Sequence, residues 1–204
     1  VRSPPLLTRG SRCTVTSSLY PSAPATTHVS FYVFILPPLP LFPGAHTQIT
    51  YIPGSAMKLC SLKVLNCAHN KLSSLPKDIG KLSELKELVA NDNKIGLMPG
   101  SLYELHNLTK LEISQNKLIG LHRADRFEEL TNLEFLSLGK NSIMDFPQSI
   151  CKLKKITTLM LNDNKLRNLP KATSELTSLL HFDVARNNLA SLPEDLFVRL
   201  KGIV

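Results

Sequence analysis

Residues 81–118 read KLSELKELVANDNKIGLMPGSLYELHNLTKLEISQNKL, and within them "LKELVANDNKI" is followed by "LTKLEISQNKL", with Leu85 and Leu108 standing 23 residues apart. A fixed period of 20 to 30 residues marks a solenoid, in which each unit is one supersecondary element that buries its apolar side only against its neighbours. The register of that period decides how the rest of the chain is read.

Aligned on the residue that opens each unit, the repeat begins at Leu62, Leu85, Leu108, Leu133, Ile156 and Leu179, with spacings of 23, 23, 25, 23 and 23. An apolar residue follows three positions on, at Leu65, Leu88, Leu111, Leu136, Leu159 and Phe182. Another lies two further, at Cys67, Ala90, Ile113, Leu138, Leu161 and Val184. Each unit then places an asparagine, namely Asn70, Asn93, Asn116, Asn141, Asn164 and Asn187. The sum is L-x-x-L-x-L-x-x-N-x-L, six times in succession, the defining pattern of a leucine-rich repeat.

The second half of the unit narrows the type. Leu75-Pro76, Met98-Pro99, Phe146-Pro147, Leu169-Pro170 and Leu192-Pro193 occupy one slot, and Ile79, Leu102, Ile150 and Leu196 follow it. With its 23-residue length and "LP" pair, the array resembles the intracellular leucine-rich repeats of the Ras-suppressor, Shoc and Scribble kind and their plant Ras-group relatives. The resemblance spans roughly residues 49–204. It implies an α/β solenoid, a curved horseshoe with a parallel concave sheet and short helices or loops on the convex side. It further implies a monomeric, cytoplasmic scaffold without a cofactor, whose concave sheet grips a protein partner such as a small GTPase or a phosphatase subunit.

The layout assigns a physical task to each slot. A segment such as "LKELVA" forms a short strand, and strands of successive units pair in parallel about 4.8 Å apart, so alternate side chains face the core and the concave surface. The asparagine sits where the chain leaves the strand, and its amide both donates to and accepts from backbone groups of the turn. Six in register form a structural ladder.

Residues 1–46 are a different text, rich in Pro, Ser and Thr, and nine of the fourteen prolines precede residue 58. Such a composition buries too little surface to fold alone, so this segment reads as disordered or as mis-joined to the array of residues 47–204. "FYVFIL", Phe31–Leu36, is its one strongly apolar run, and it falls short of the roughly 20 apolar residues that a spanning helix needs. "ITYIPGSAMKLCSL" aligns with "LSSLPKDIGKLSEL", which sets half a repeat before the first whole one. The strand of that half repeat is expected at residues 39–47, although Pro40 and Pro43 interrupt it and Thr47 replaces the asparagine. Ile203 stands where a seventh unit opens, so the chain reads as an internal piece of a longer array.

Charge and motifs exclude several function classes. The formal charge is +8; Arg2, Arg9 and Arg12 supply three of it, which leaves +5 across an array where lysines alternate with acids. That distribution reads as a solvated surface and not as a nucleic-acid footprint. No phosphate-cradling glycine motif, nucleophile elbow or paired-histidine zinc motif occurs. Cys60, Cys67 and His69 lie close together, but Cys67 falls on an inward slot, which favours a packed thiol over a metal ligand. Four cysteines without clustered caps fit reduced thiols and the cytosol.

The concave slots carry what remains. Val89, Phe135 and Met160 are apolar residues on outward positions among charges, a combination that protein interfaces favour. With Glu112, Lys140 and His181 they are the candidate partner contacts. Lys71, Lys94, Lys117 and Lys165 form a row beside the asparagines that reads as a solvated edge. Unit three is two residues longer, and its "LIGLHRADRFEEL" suggests either a convex helical turn around Phe127 or a charged ledge of His122, Arg123, Asp125 and Arg126. Two further readings stand beside the scaffold. The array is either the recognition or regulatory arm of a larger enzyme or receptor, or a secreted ectodomain with a glycan on Asn107.

Overall fold

The computed structural model describes residues 31–34, 49–120 and 126–199. Seven strands form one parallel sheet in chain order. They are β1 (Phe31–Phe34), β2 (Leu62–Asn66), β3 (Glu87–Val89), β4 (Lys110–Glu112), β5 (Phe135–Ser137), β6 (Thr158–Met160) and β7 (His181–Asp183). From β2 to β7 the register follows the repeat without slippage: Leu65 pairs with Leu88, Leu88 with Leu111, Leu111 with Leu136, Leu136 with Leu159 and Leu159 with Phe182. The inward slots therefore stack into one continuous apolar layer. Leu88, Leu111, Leu136 and Leu159 are fully buried there.

Each return segment carries a short 3-10 helix, at Gly54–Lys58, Ile79–Lys81, Gly100–Glu104, Phe127–Glu129, Gln148–Lys152 and Lys171–Glu175. Where a proline fills the "LP" slot it starts this turn, whereas Arg126 precedes Phe127–Glu129. Proline fixes φ near −65° and has no N–H to leave unpaired, and Pro99 and Pro170 sit at φ −70° and −66°. Their carbonyls then accept the N–H groups of Leu102 at 3.0 Å and Thr173 at 2.9 Å, closing the first turn. A brief helix, α1 (Leu196–Arg199), follows Pro193 in the same way, with Leu196 donating to the Pro193 carbonyl at 3.0 Å.

The asparagine ladder is present in all six units. Asn93 is representative: its Oδ1 accepts the Leu72 N–H at 2.9 Å, and its Nδ2 donates to the carbonyls of Cys67, Ala90 and Asn91 at 3.0, 3.1 and 3.2 Å. Asn70 receives the N–H of Ile49 in the same manner, and Asn187 that of Leu166. Each asparagine thus reaches back to the preceding unit and ties it to its own strand exit. Immediately before the asparagine, His69, Asp92, Gln115, Lys140, Asp163 and Arg186 all adopt positive φ between 53° and 56°. This left-handed residue turns the chain out of the sheet in every unit.

The front of the array departs from the expectation. The strand expected at residues 39–47 lies outside the described residues, and the neighbour of β2 is β1, drawn from the apolar run inside the segment read as disordered or mis-joined. Tyr32 pairs with Val64 and Phe34 with Asn66, 32 positions apart instead of 23, and the register shifts between Phe31 and Tyr32. A run of large apolar and aromatic residues fits a sheet edge, whereas Pro40 and Pro43 have no N–H to donate to one.

In unit three, Phe127 is fully buried and meets Tyr103 edge to face, with ring centroids 5.3 Å apart. It anchors the convex turn. Arg126 is exposed and bonded to Glu129 through Nε and Nη2, each at 2.6 Å, which raises its own pKa and lowers that of Glu129. His122, Arg123 and Asp125 lie outside the described residues.

Candidate functional site

Five of the six candidate contacts stand on the outward slots of the sheet: Val89 ends β3, Glu112 ends β4, Phe135 opens β5, Met160 ends β6 and His181 opens β7. Lys140 sits three residues beyond β5, in the left-handed position, and its N–H donates to the Asn162 carbonyl at 2.8 Å. Its backbone is tied down while its side chain is exposed.

Val89, Phe135 and Met160 are half-buried and not fully exposed as their slots suggested. Cross-strand neighbours cover them. Phe135 pairs with Lys110, and the Lys110 ammonium lies 5.4 Å from the ring centroid. Such a cation over an aromatic face contributes about 0.5–1 kcal/mol at an accessible site. The same ammonium meets Glu112 at 2.6 Å. The other oxygen of Glu112 accepts from Asn91 Nδ2 at 2.5 Å, and Asn91 Oδ1 accepts the Ser114 N–H at 2.8 Å. Ser114 and Ser137 hydroxyls meet at 2.6 Å.

These bonds join units two, three and four into one polar network with Phe135 at its edge. Lys110, absent from the candidate contacts, is its hub. The signal for it lies in the register: a lysine one strand away from an outward phenylalanine has a π face within reach. Met160 pairs with Ser137 and Asp183 and so extends the surface toward β7, while Val89 pairs with Asn66 and Glu112. His181 is exposed at the far strand, beside Thr158. The resulting surface is a band of apolar side chains beside the ion pair of Lys110 with Glu112, with Lys140 and His181 exposed. That pair is positioned before any partner arrives, so less of its side-chain entropy is lost on docking.

Behind the sheet, Cys67 is completely buried and its Sγ lies 3.4 Å from the Val89 carbonyl. Burial pushes this thiol up to about 12, so it is a packing group. Cys151 is also buried, whereas Cys60 is exposed. Among the described residues, no three His, Cys, Asp or Glu side chains converge as a metal site would require.

A family model for the leucine rich repeat matches residues 60–118 and again 106–166. Among solved structures, a leucine-rich repeat protein of Leptospira interrogans is similar over 78% of this chain and 40% of its own, at 31% identity and a TM-score of 0.72. A TDR receptor matches 68% of this chain and 25% of its own, at 31% identity and a TM-score of 0.64. The plant peptide hormone receptor RGFR1, solved in complex with RGF2, matches 68% of this chain and 23% of its own, at 27% identity and a TM-score of 0.63. The chain therefore spans at most 40% of the length of these structures. None of the curated proteins matches it.

Proposed function

The chain belongs to the leucine-rich repeat family, and from that premise we propose that it is a non-catalytic interaction module that takes a protein partner on its concave sheet. Modules of this family commonly bind proteins. The observation that carries the reading here is the half-buried Phe135, capped by Lys110 and continued by Met160 across neighbouring strands. An aromatic anchor within a pre-paired polar rim is the arrangement in which a few residues supply most of the binding energy.

An intracellular signalling scaffold is the finer form of this proposal. The "LP" unit of 23 residues, similar to that of Ras-suppressor and Shoc-type proteins, supports it. The partner is then a folded protein, such as a small GTPase or a phosphatase subunit.

A second reading is the recognition arm of a larger receptor. The similarity to the TDR receptor and to RGFR1, the latter in complex with RGF2, favours it.

Affinity capture on the immobilised chain, repeated with Phe135→Asp and Met160→Asp, tests the concave-face proposal. Both changes are expected to abolish retention of a specific partner while leaving thermal unfolding within a few degrees of the parent, because the two side chains lie outside the core. Retention unaffected by both removes the concave surface as the docking site. A folded intracellular protein in the eluate supports the first reading, and a short secreted peptide supports the second.

A further inference from the structure

The flank between the sheet and the convex turns has its own backbone ladder: the N–H of Lys94 donates to the Leu72 carbonyl at 2.8 Å, that of Lys117 to Ile95 at 3.0 Å, that of Ser142 to Leu118 at 2.8 Å and that of Lys165 to Ile143 at 2.9 Å. The residue after each asparagine is thereby held in register with its counterparts, one repeat apart, about 5 Å. Lys71, Lys94, Lys117 and Lys165 occupy this row, all exposed, and among the described residues none forms an ion pair.

The segment is extended there, so alternate residues share a face. Lys117 is exposed, Leu118 is fully buried and Ile119 is 62% exposed. Ile119 therefore lies on the same flank as Lys117, about 7 Å further out. In the neighbouring units the matching segments expose Leu97 at 71% and Met144 at 39%. Three consecutive repeats thus expose a large aliphatic side chain in the segment that follows this row: Ile119 and Met144 three positions after their asparagines and Leu97 four after its own, with Ser142 in place of a lysine in the unit of Met144. Of the acids close in sequence to this row, Asp92 and Asp163 in the left-handed position face His69 and Arg186 at 3.0 and 3.3 Å, and Asp145 is exposed. Two of the three are already engaged.

A solvated edge accounts for lysines but not for a leucine, an isoleucine and a methionine standing in water beside them. A polyanionic chain, whether nucleic acid or acidic peptide, uses the charges alone and leaves the aliphatic row in water. A lipid surface uses both, because headgroup phosphates meet the ammonium row while the aliphatic tips enter the interfacial layer. We propose that this flank is a peripheral docking surface for an anionic phospholipid bilayer, with Lys71, Lys94, Lys117 and Lys165 at the headgroups and Leu97, Ile119 and Met144 in the interface. No described helix is long and apolar enough to cross a membrane; the association is lateral and leaves the concave sheet free for its protein partner.

Co-sedimentation of the full chain with vesicles tests this at about 0.15 M salt. Vesicles of phosphatidylcholine with about 30% phosphatidylserine are expected to retain the protein, and pure phosphatidylcholine vesicles are not. Lys94→Gln with Lys117→Gln is expected to weaken retention about 25-fold, roughly fivefold per charge. Leu97→Ser with Ile119→Ser is expected to weaken it at least tenfold, since several methylene groups leave the interface. All four side chains are exposed, so unchanged thermal unfolding identifies these as surface effects. Phe135→Asp is expected to leave vesicle retention unaltered, which separates this surface from the concave one. Absence of retention on phosphatidylserine vesicles overturns the proposal. So does retention that survives Leu97→Ser with Ile119→Ser and is abolished by soluble polyglutamate, which assigns the flank to an acidic polypeptide.

Discussion

Asn93 donates its Nδ2–H to the carbonyl of Cys67, 26 positions earlier and in the preceding repeat, at 3.0 Å. The same side chain accepts the Leu72 N–H at 2.9 Å. One amide therefore satisfies two backbone groups of the unit before it, in a site where it is itself only 8% exposed. The solenoid is held together as much by this repeated cross-link as by its leucines.

Asn93→Ala leaves the Leu72 N–H without its partner, while the Cys67 carbonyl loses one of its two side-chain donors and keeps the Nδ2–H of Asn70 at 3.1 Å. At about 1–3 kcal/mol for a buried group left unsatisfied, the variant is expected to lose about that much by urea denaturation. Asn168→Ala, at an exposed position of a return segment, is expected to change stability by less than about 0.5 kcal/mol.

The left-handed row sets a second expectation. Lys140 holds φ 53°, as do Asp92, Gln115 and Arg186, and residues other than glycine, asparagine and aspartate pay about 1–2 kcal/mol to stay there. Lys140→Asn is expected to raise the unfolding free energy by several tenths of a kcal/mol. Lys140→Val, β-branched and hardest to place at positive φ, is expected to lower it by about 1–2 kcal/mol. Thermal unfolding of the two variants beside the parent checks the order.

Burial of Cys67 makes stability depend on alkaline pH. Its thiol is raised from 9.0 to about 12 in the folded chain, so between those values the folded state keeps a proton that the unfolded state releases. The stabilisation is complete below pH 9 and is lost as pH climbs toward 12. The limiting loss is on the order of 4 kcal/mol. Cys67→Ala is expected to remove that portion of the slope in denaturation curves taken across this range. Alkylation at neutral pH with peptide mapping is expected to modify Cys60 rapidly, and Cys67 and Cys151 only after unfolding.

Much of this was legible in the chain because a solenoid writes its packing locally. Leu88 and Leu111 recur at the period of the repeat and stack at that same register, and Asn93 and Asn116 fall where the ladder forms. The "LP" slot was visible as well, though the role of its proline carbonyl in starting the convex turn, in the units that carry a proline, needed the backbone. Three features were not legible. β1 pairs outside the period, so no repeat pattern marks Phe31–Phe34; only their apolar and aromatic character does. The cover over Phe135 depends on how the Lys110 side chain bends along the sheet, which slot assignment cannot specify. The aliphatic residues of the flank occupy mixed slots, with Leu97 one position later in its unit than Ile119 and Met144 in theirs, so alignment by repeat does not single them out.

Site-specific photocrosslinking tests the concave-face claim most directly. A photoreactive residue is placed at Phe135, and in a second protein at Lys154, an exposed position of the return segment. Illumination in extract is expected to give one discrete protein adduct from position 135 and none from position 154. Adducts of equal yield from both positions, or from position 154 alone, contradict a partner seated on the sheet.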